Sequence, residues 1–133
     1  MVGHATFVDE SPLHHFVLGG GVRAHLTRRL WLGADALRMW GPGTDRDLVV
    51  EGVVEFDLAD SGGPLVPYLV AAGGLLVHQQ EFPGRLLLRT TEPTASGGAG
   101  LRIRVSDRFV VSPEARLGFE LHTRIVVNAG YRF

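Results

Sequence analysis

Apolar and polar side chains alternate one by one along most of this chain, and a period of two marks β-strands whose two faces lie in different surroundings. From His14 to Thr27, one face carries Phe16, Leu18, Gly20, Val22, Ala24 and Leu26, and the other His15, Gly19, Gly21, Arg23, His25 and Thr27. Leu48 to Leu58 sets Leu48, Val50, Val54, Phe56 and Leu58 against Glu51, Glu55 and Asp57. Ala95 to Ser106 sets Ala99, Leu101, Ile103 and Val105 against Ser96, Arg102 and Arg104, and Arg108 to Glu120 sets Phe109, Val111, Ala115, Leu117 and Phe119 against Ser112, Glu114 and Arg116. The last segment sets Leu121, Ile125, Val127, Ala129, Tyr131 and Phe133 against His122, Arg124, Asn128 and Arg132. Leu30 to Trp40 alternates with Asp35 on the face of Trp31 and Met39, and Arg38 falls on the apolar parity. Leu65 to Phe82 is apolar on both faces, and Val2 to Val8 supplies a short first strand. The count predicts eight strands over 1–133 in a single domain.

The connections separate into two kinds. With both ends of the chain on one side, that side holds the short turns Thr27-Arg28, Asp60 to Pro64 and Ser106-Asp107. The other side holds Asp9 to Leu13, Gly41 to Asp47, the long Pro83 to Pro93 segment, and a tight corner at Glu120. Short turns at one end and mostly longer loops at the other is the pattern of outer-membrane barrels. Aromatic residues on the apolar parity (Phe16, Trp40, Phe56, Tyr68, Phe109, Phe119, Tyr131 and Phe133) sit toward strand ends, as interfacial girdles require. The charged face is sorted by sign, with Asp35, Glu51, Glu55 and Asp57 on the third and fourth strands and Arg102, Arg104, Arg116, Arg124 and Arg132 on the sixth to eighth. In an eight-stranded barrel, strands four apart face each other across the interior. The acidic fourth strand then opposes the arginine-bearing eighth, and a narrow lumen needs such pairing because an isolated buried charge costs several kcal/mol. The expected fold is an all-β, eight-stranded antiparallel up-and-down transmembrane β-barrel. Its expected lumen network comprises Arg23, Asp35, Glu51, Glu55, Arg102, Arg104, Glu114, Arg116, Arg124 and Arg132.

The order of Gly19-Gly20-Gly21-Val22-Arg23, Val66-Pro67-Tyr68-Leu69-Val70-Ala71-Ala72-Gly73-Gly74, Gly98-Ala99-Gly100-Leu101-Arg102, Pro113-Glu114-Ala115-Arg116-Leu117-Gly118 and the final Gly130-Tyr131-Arg132-Phe133 resembles the outer-membrane β-barrel family related to OmpA and OmpX. The resemblance runs from Phe16 onward. It implies a Gram-negative outer membrane, contact with outer-membrane lipid, and assembly from the periplasm by the barrel-assembly machinery, with Tyr131 and Phe133 as the assembly signal. It implies no reaction, and the expected role is structural or one of surface interaction, with no wide pore.

Composition narrows the alternatives. The chain has 133 residues, 45% hydrophobic and 20% charged, with net charge −1. Nothing in that balance offers the basic surface that a nucleic-acid partner needs. There is no cysteine, so thiol catalysis and cysteine metal sites are excluded. All 13 basic residues are arginine, whose planar guanidinium pairs bidentately with carboxylates in a confined interior. No helix-length apolar run is present: the longest, Leu65 to Val77, is interrupted by Pro67, Gly73 and Gly74. Met1-Val2-Gly3-His4 has no basic stretch leading an apolar one, so the signal of an exported protein would lie outside this sequence.

Candidate chemistry is sparse. His14 and His15 are adjacent on a strand, point to opposite faces and cannot readily chelate one ion. The Gly41 to Asp47 turn carries two acids, too few to hold an ion alone. His25 and His122 share the lumen parity with Asp35 and Glu120, and a His–carboxylate pair is a potential general base. Asp9, Ser11, His14 and His15 gather near the long-loop rim, where small outer-membrane lipid enzymes place such residues. Gly19-Gly20-Gly21 precedes no helix and no GK[ST], so it reads as room for close packing rather than a phosphate loop. The expectation is no enzyme, no cofactor and no metal. The alternative class is a soluble lipocalin-like barrel with its apolar face inward around a small ligand.

Overall fold

The computed structural model describes residues 1–8, 12–43, 45–80, 88–119 and 122–132. They form β1 (Val2–Val8), β2 (Pro12–His25), β3 (Leu30–Trp40), β4 (Arg46–Asp57), β5 (Leu65–Gln80), β6 (Leu88–Arg104), β7 (Phe109–Gly118) and β8 (His122–Tyr131). Each strand pairs antiparallel with its sequence neighbour, and β1 closes the sheet on β8. Closure leaves no sheet edge, the only way a sheet satisfies its backbone in hydrocarbon.

Two of the short turns share one chemistry. The N–H groups of Leu26 and Thr27 donate to the Leu30 carbonyl, and those of Val105 and Ser106 to Phe109. In each, a hydroxyl accepts the next strand's first N–H: Thr27 Oγ1 from Leu30 at 3.1 Å and Ser106 Oγ from Phe109 at 3.1 Å. β1, at seven residues, is shorter than the roughly 9–11 that span a bilayer, and it covers β2 only up to Leu18 and β8 only up to Val127. The β6–β7 ladder is interrupted between Gly100↔Glu114 and Ile103↔Val111, where Pro113 has no N–H to donate to β6.

The alternation resolves with the apolar parity outside. Phe16, Leu18, Val22, Leu48, Val50, Val54, Phe56, Leu69, Leu117, Ile125 and Val127 are exposed, while Asp35, Glu51, Glu55, Asp57, Glu114, Arg116 and Arg124 are buried. A soluble barrel would show the reverse. Outward aromatics band both ends. Phe16 packs on Trp40 at the long-loop end, with ring centroids 5.9 Å apart, and Phe109 meets Tyr131 edge-on at 5.3 Å at the short-turn end. Tyr68 departs from the expected girdle: it points inward and is 2% exposed. β5 is apolar on both faces, so alternation there did not distinguish its sides, and Val66, Tyr68 and Val70 prove to be the lumen set. Phe133 and Glu120 lie outside the described residues.

Candidate functional site

From the short-turn end upward, the lumen stacks a large charged network, an apolar layer and a small histidine–aspartate cluster. At the base, Asp57 on β4 accepts from Trp31 Nε1 at 2.9 Å and Ser61 Oγ at 2.6 Å, and pairs with Arg102 on β6. Arg102 also donates to Glu55 Oε2 at 2.6 Å, and its guanidinium lies 4.6 Å from the Trp31 ring centroid and 4.8 Å from that of Tyr68. Glu55 accepts from Arg23 Nε at 2.5 Å, and Arg23 forks onto both oxygens of Asp35 at 2.7 and 2.9 Å.

Arg116 on β7, 1% exposed, ties three acids together. It donates to Glu114 at 2.6 Å, Glu51 at 2.6 Å and Asp35 at 3.3 Å. Glu51 also receives Arg124 from β8, so the fourth and eighth strands meet across the lumen. The Tyr68 hydroxyl donates to Glu114 Oε2 at 2.9 Å. Among the described residues the network thus joins Arg23, Arg102, Arg116 and Arg124 to Asp35, Glu51, Glu55, Asp57 and Glu114, a near balance of charge.

Two expected members are placed otherwise. Arg104 turns to the carbonyls of Gly62 and Ser61, at 2.7 and 3.2 Å, because the short turn before β5 lies closer than any lumen acid. Arg132 follows the last residue of β8, is exposed, and does not enter the lumen. Three members outside the expected set are Asp57, Trp31 and Tyr68. Asp57 and Trp31 were legible on the polar parity, whereas Tyr68 carried no such mark.

The fit depends on glycines placed directly opposite the large inward groups. The paired positions are Gly21↔Asp35, Arg23↔Gly33, Glu51↔Gly74, Tyr68↔Gly100 and Gly98↔Arg116. A Cβ at Gly33 would come within 2.5 Å of Arg23 Cδ, and one at Gly21, Gly74, Gly98 or Gly100 would collide with the partner residue or its strand. The narrow barrel thus houses Arg23, Asp35, Glu51, Tyr68 and Arg116 by setting a residue without a side chain beside each of them.

Above the network lies an apolar layer of Ala5, Val17, Leu37, Met39, Val49 and Val126. A cavity of about 10 Å³ beneath the upper rim, among Ala5, Met39, Val49, Leu76, Thr94, His122 and Arg124, holds at most about one water. At the rim itself, His15 on β2 donates its Nε2–H to Asp45 Oδ2 at 2.9 Å, and lies 3.6 Å from Asp47. His78 on β5 contacts Asp47 at 2.6 Å and Asp45 at 3.4 Å. His14 faces outward beside Thr6, so the two adjacent histidines diverge as strand geometry requires. His25 and His122 stand at opposite ends of the barrel, the first against Trp31 and the second on the Phe119 carbonyl. Asp9 and Ser11 lie outside the described residues.

No family model matches the chain. Among curated proteins it is similar to the 2,3,4,5-tetrahydropyridine-2,6-dicarboxylate N-succinyltransferases of Pseudomonas putida (31% identical over 92% of this chain) and Vibrio cholerae (27% over 92%). The chain spans about a third of the length of these relatives. Among solved structures it is similar to Neisserial surface protein A, with TM-score 0.86 and 14% identity over 99% of this chain and 93% of that one. It is also similar to the N-terminal β-barrel domain of Pseudomonas aeruginosa OprF, with TM-score 0.67 and 16% identity over 99% and 95%. A designed transmembrane β-barrel matches with TM-score 0.51 and 21% identity over 99% and 92%. With closed eight-stranded topology, outward apolar belt and inward charges already in place, these likenesses make the fold that of the small outer-membrane β-barrels.

Proposed function

We propose that this chain resides in an outer membrane as a small barrel whose role is structural or one of surface interaction, and that its lumen is sealed. The observation that carries the reading is the continuous network around Arg116, which links β2, β3, β4, β6, β7 and β8 through buried ion pairs. A water-filled pore needs a lumen whose charges stand apart, and here they are tied across it. Lipid is the partner of the outward face. The outward Ile125, Val127, Ala129 and Tyr131 of β8 support the reading of Tyr131 and Phe133 as a signal for the barrel-assembly machinery. The succinyltransferase activity belongs to the relatives, of whose length this chain spans about a third.

The test is reconstitution into a planar lipid bilayer. The refolded chain is expected to insert and give no stable conductance step. A steady open channel in the unmodified protein would refute the sealed lumen.

A further inference from the structure

The rim cluster is cut off from the arginines beneath it. The apolar layer of Val17, Leu37, Met39 and Val49 lies between, and among the described residues only His15 and His78 pair with Asp45 and Asp47. We propose that His15, Asp45 and Asp47 bind one divalent transition-metal cation, with zinc the best match to this ligand set and His78 beside it as a partner of the Asp47 carboxylate.

One imidazole and two carboxylates, with a fourth position open to water, are a fitting donor set for zinc, which takes nitrogen and oxygen ligands at about 2.0–2.2 Å in a tetrahedron. That geometry places neighbouring donor atoms about 3.4 Å apart. His15 Nε2 stands 3.6 Å from Asp47 Oδ2 and 2.9 Å from Asp45 Oδ2, so the first separation already matches and the second would lengthen by about half an ångström as the cation replaces a hydrogen bond. Donor atoms of His15, Asp45 and Asp47 all fall within 4.8 Å of one another.

Three further observations point to a ligand. The Asp45 side chain is 11% exposed, yet its Oδ1, 3.4 Å from His78 Nδ1, accepts no hydrogen bond. Two nearly buried carboxylates side by side demand positive charge, which among the described residues no guanidinium supplies. The turn is also shaped to leave the donors clear: a Cβ at Gly41 would stand 2.5 Å from His15 Nε2 and 2.6 Å from Asp45 Oδ2. That turn is held by Gly41 N–H to the Asp45 carbonyl at 3.1 Å, and Gly43 takes φ 69°, a left-handed conformation open to glycine. Neither the histidine pair nor the two-acid turn suffices alone, and folding unites one half of the first with all of the second.

Isothermal titration of Zn²⁺ into the metal-stripped, detergent-refolded full chain tests this, with Co²⁺ absorption reporting coordination. One equivalent per chain is expected, with Kd below about 10 μM. Asp47→Asn, close in size, is expected to weaken binding by about 100-fold or more, since even partners beyond the ligands are worth roughly 10–100-fold. Gly41→Ala should weaken it too, and His14→Ala, on the outer face, should not. Absence of saturable binding below about 1 mM would overturn the proposal and leave the cluster as ion pairs. Wild-type affinity in a folded Asp47→Asn or His15→Ala variant, or loss in His14→Ala, would overturn it as well. Each variant's heat-modifiable gel shift establishes that it is folded.

Discussion

Arg116→Leu is expected to destabilise the refolded barrel by about 3–5 kcal/mol, the usual cost of removing one partner from a buried ionic cluster. Leucine leaves Glu114, Glu51 and Asp35 without the guanidinium that joins them, in a lumen where Arg116 is 1% exposed and water cannot replace it. Glu51 keeps Arg124 and Asp35 keeps Arg23, so the orphaned charge falls mainly on Glu114, whose remaining partner among the described residues is the Tyr68 hydroxyl. Arg116→Lys should lie between, because an ammonium keeps the charge but cannot fork toward three acids at once. Equilibrium urea unfolding in detergent, followed by the gel shift and by tryptophan fluorescence, measures the difference. Trp31 sits on Arg102 within the same network and reports its loss directly. A cost under about 1 kcal/mol would mean the carboxylates are hydrated and the network carries little stability.

Gly98→Val should prevent closure of the barrel or cost about 3 kcal/mol or more, while Gly97→Ala, one residue away, should be neutral to slightly stabilising. Gly98 lies opposite Arg116 in the β6–β7 pair, and a Cβ there would strike the Ala115 carbonyl and Arg116 Cα, both backbone atoms with nowhere to go. At Gly97, on the outer face, a Cβ would meet only the Val70 carbonyl at 3.7 Å, an ordinary contact. The difference between two neighbouring glycines on one strand is thus a direct readout of which face is inside. Refolding yield and urea midpoints of the two variants supply it. Equal tolerance at both positions would contradict the inward assignment of Gly98.

The fold was legible because strand alternation, turn spacing and end-placed aromatics are local patterns that agree with one another. β5 shows where that reading weakens: both of its faces are apolar, so Tyr68 was assigned to the girdle although it faces Glu114 across the lumen. The sign-sorted charges made an inward ionic layer foreseeable, but not its partners, which depend on barrel stagger rather than on strand parity. Stagger brings Arg102 down to Asp57, turns Arg104 to the Ser61 and Gly62 carbonyls and leaves Arg132 beyond the strand end. The glycines carried more information than their abundance suggested, since five of them mark the positions beside large inward groups, a relation visible only with the register. The rim cluster was hidden for a similar reason. Its four residues come from β2, β4, β5 and a turn, and sequence spacing alone does not bring them together.

The central claim, that the apolar face meets lipid and the charged face is sealed inside, is open to one direct measurement. The chain has no cysteine, so a single introduced thiol carries a single fluorescent label. Labels at Val50 and Val54, exposed on β4, and at Val49 and Val53, their buried sequence neighbours, are compared in vesicles with and without brominated lipid. Quenching by the brominated chains at Val50 and Val54, with labelling or quenching suppressed at Val49 and Val53, is the expected result. Quenching of the Val50 and Val54 labels by aqueous iodide instead of lipid would contradict the account.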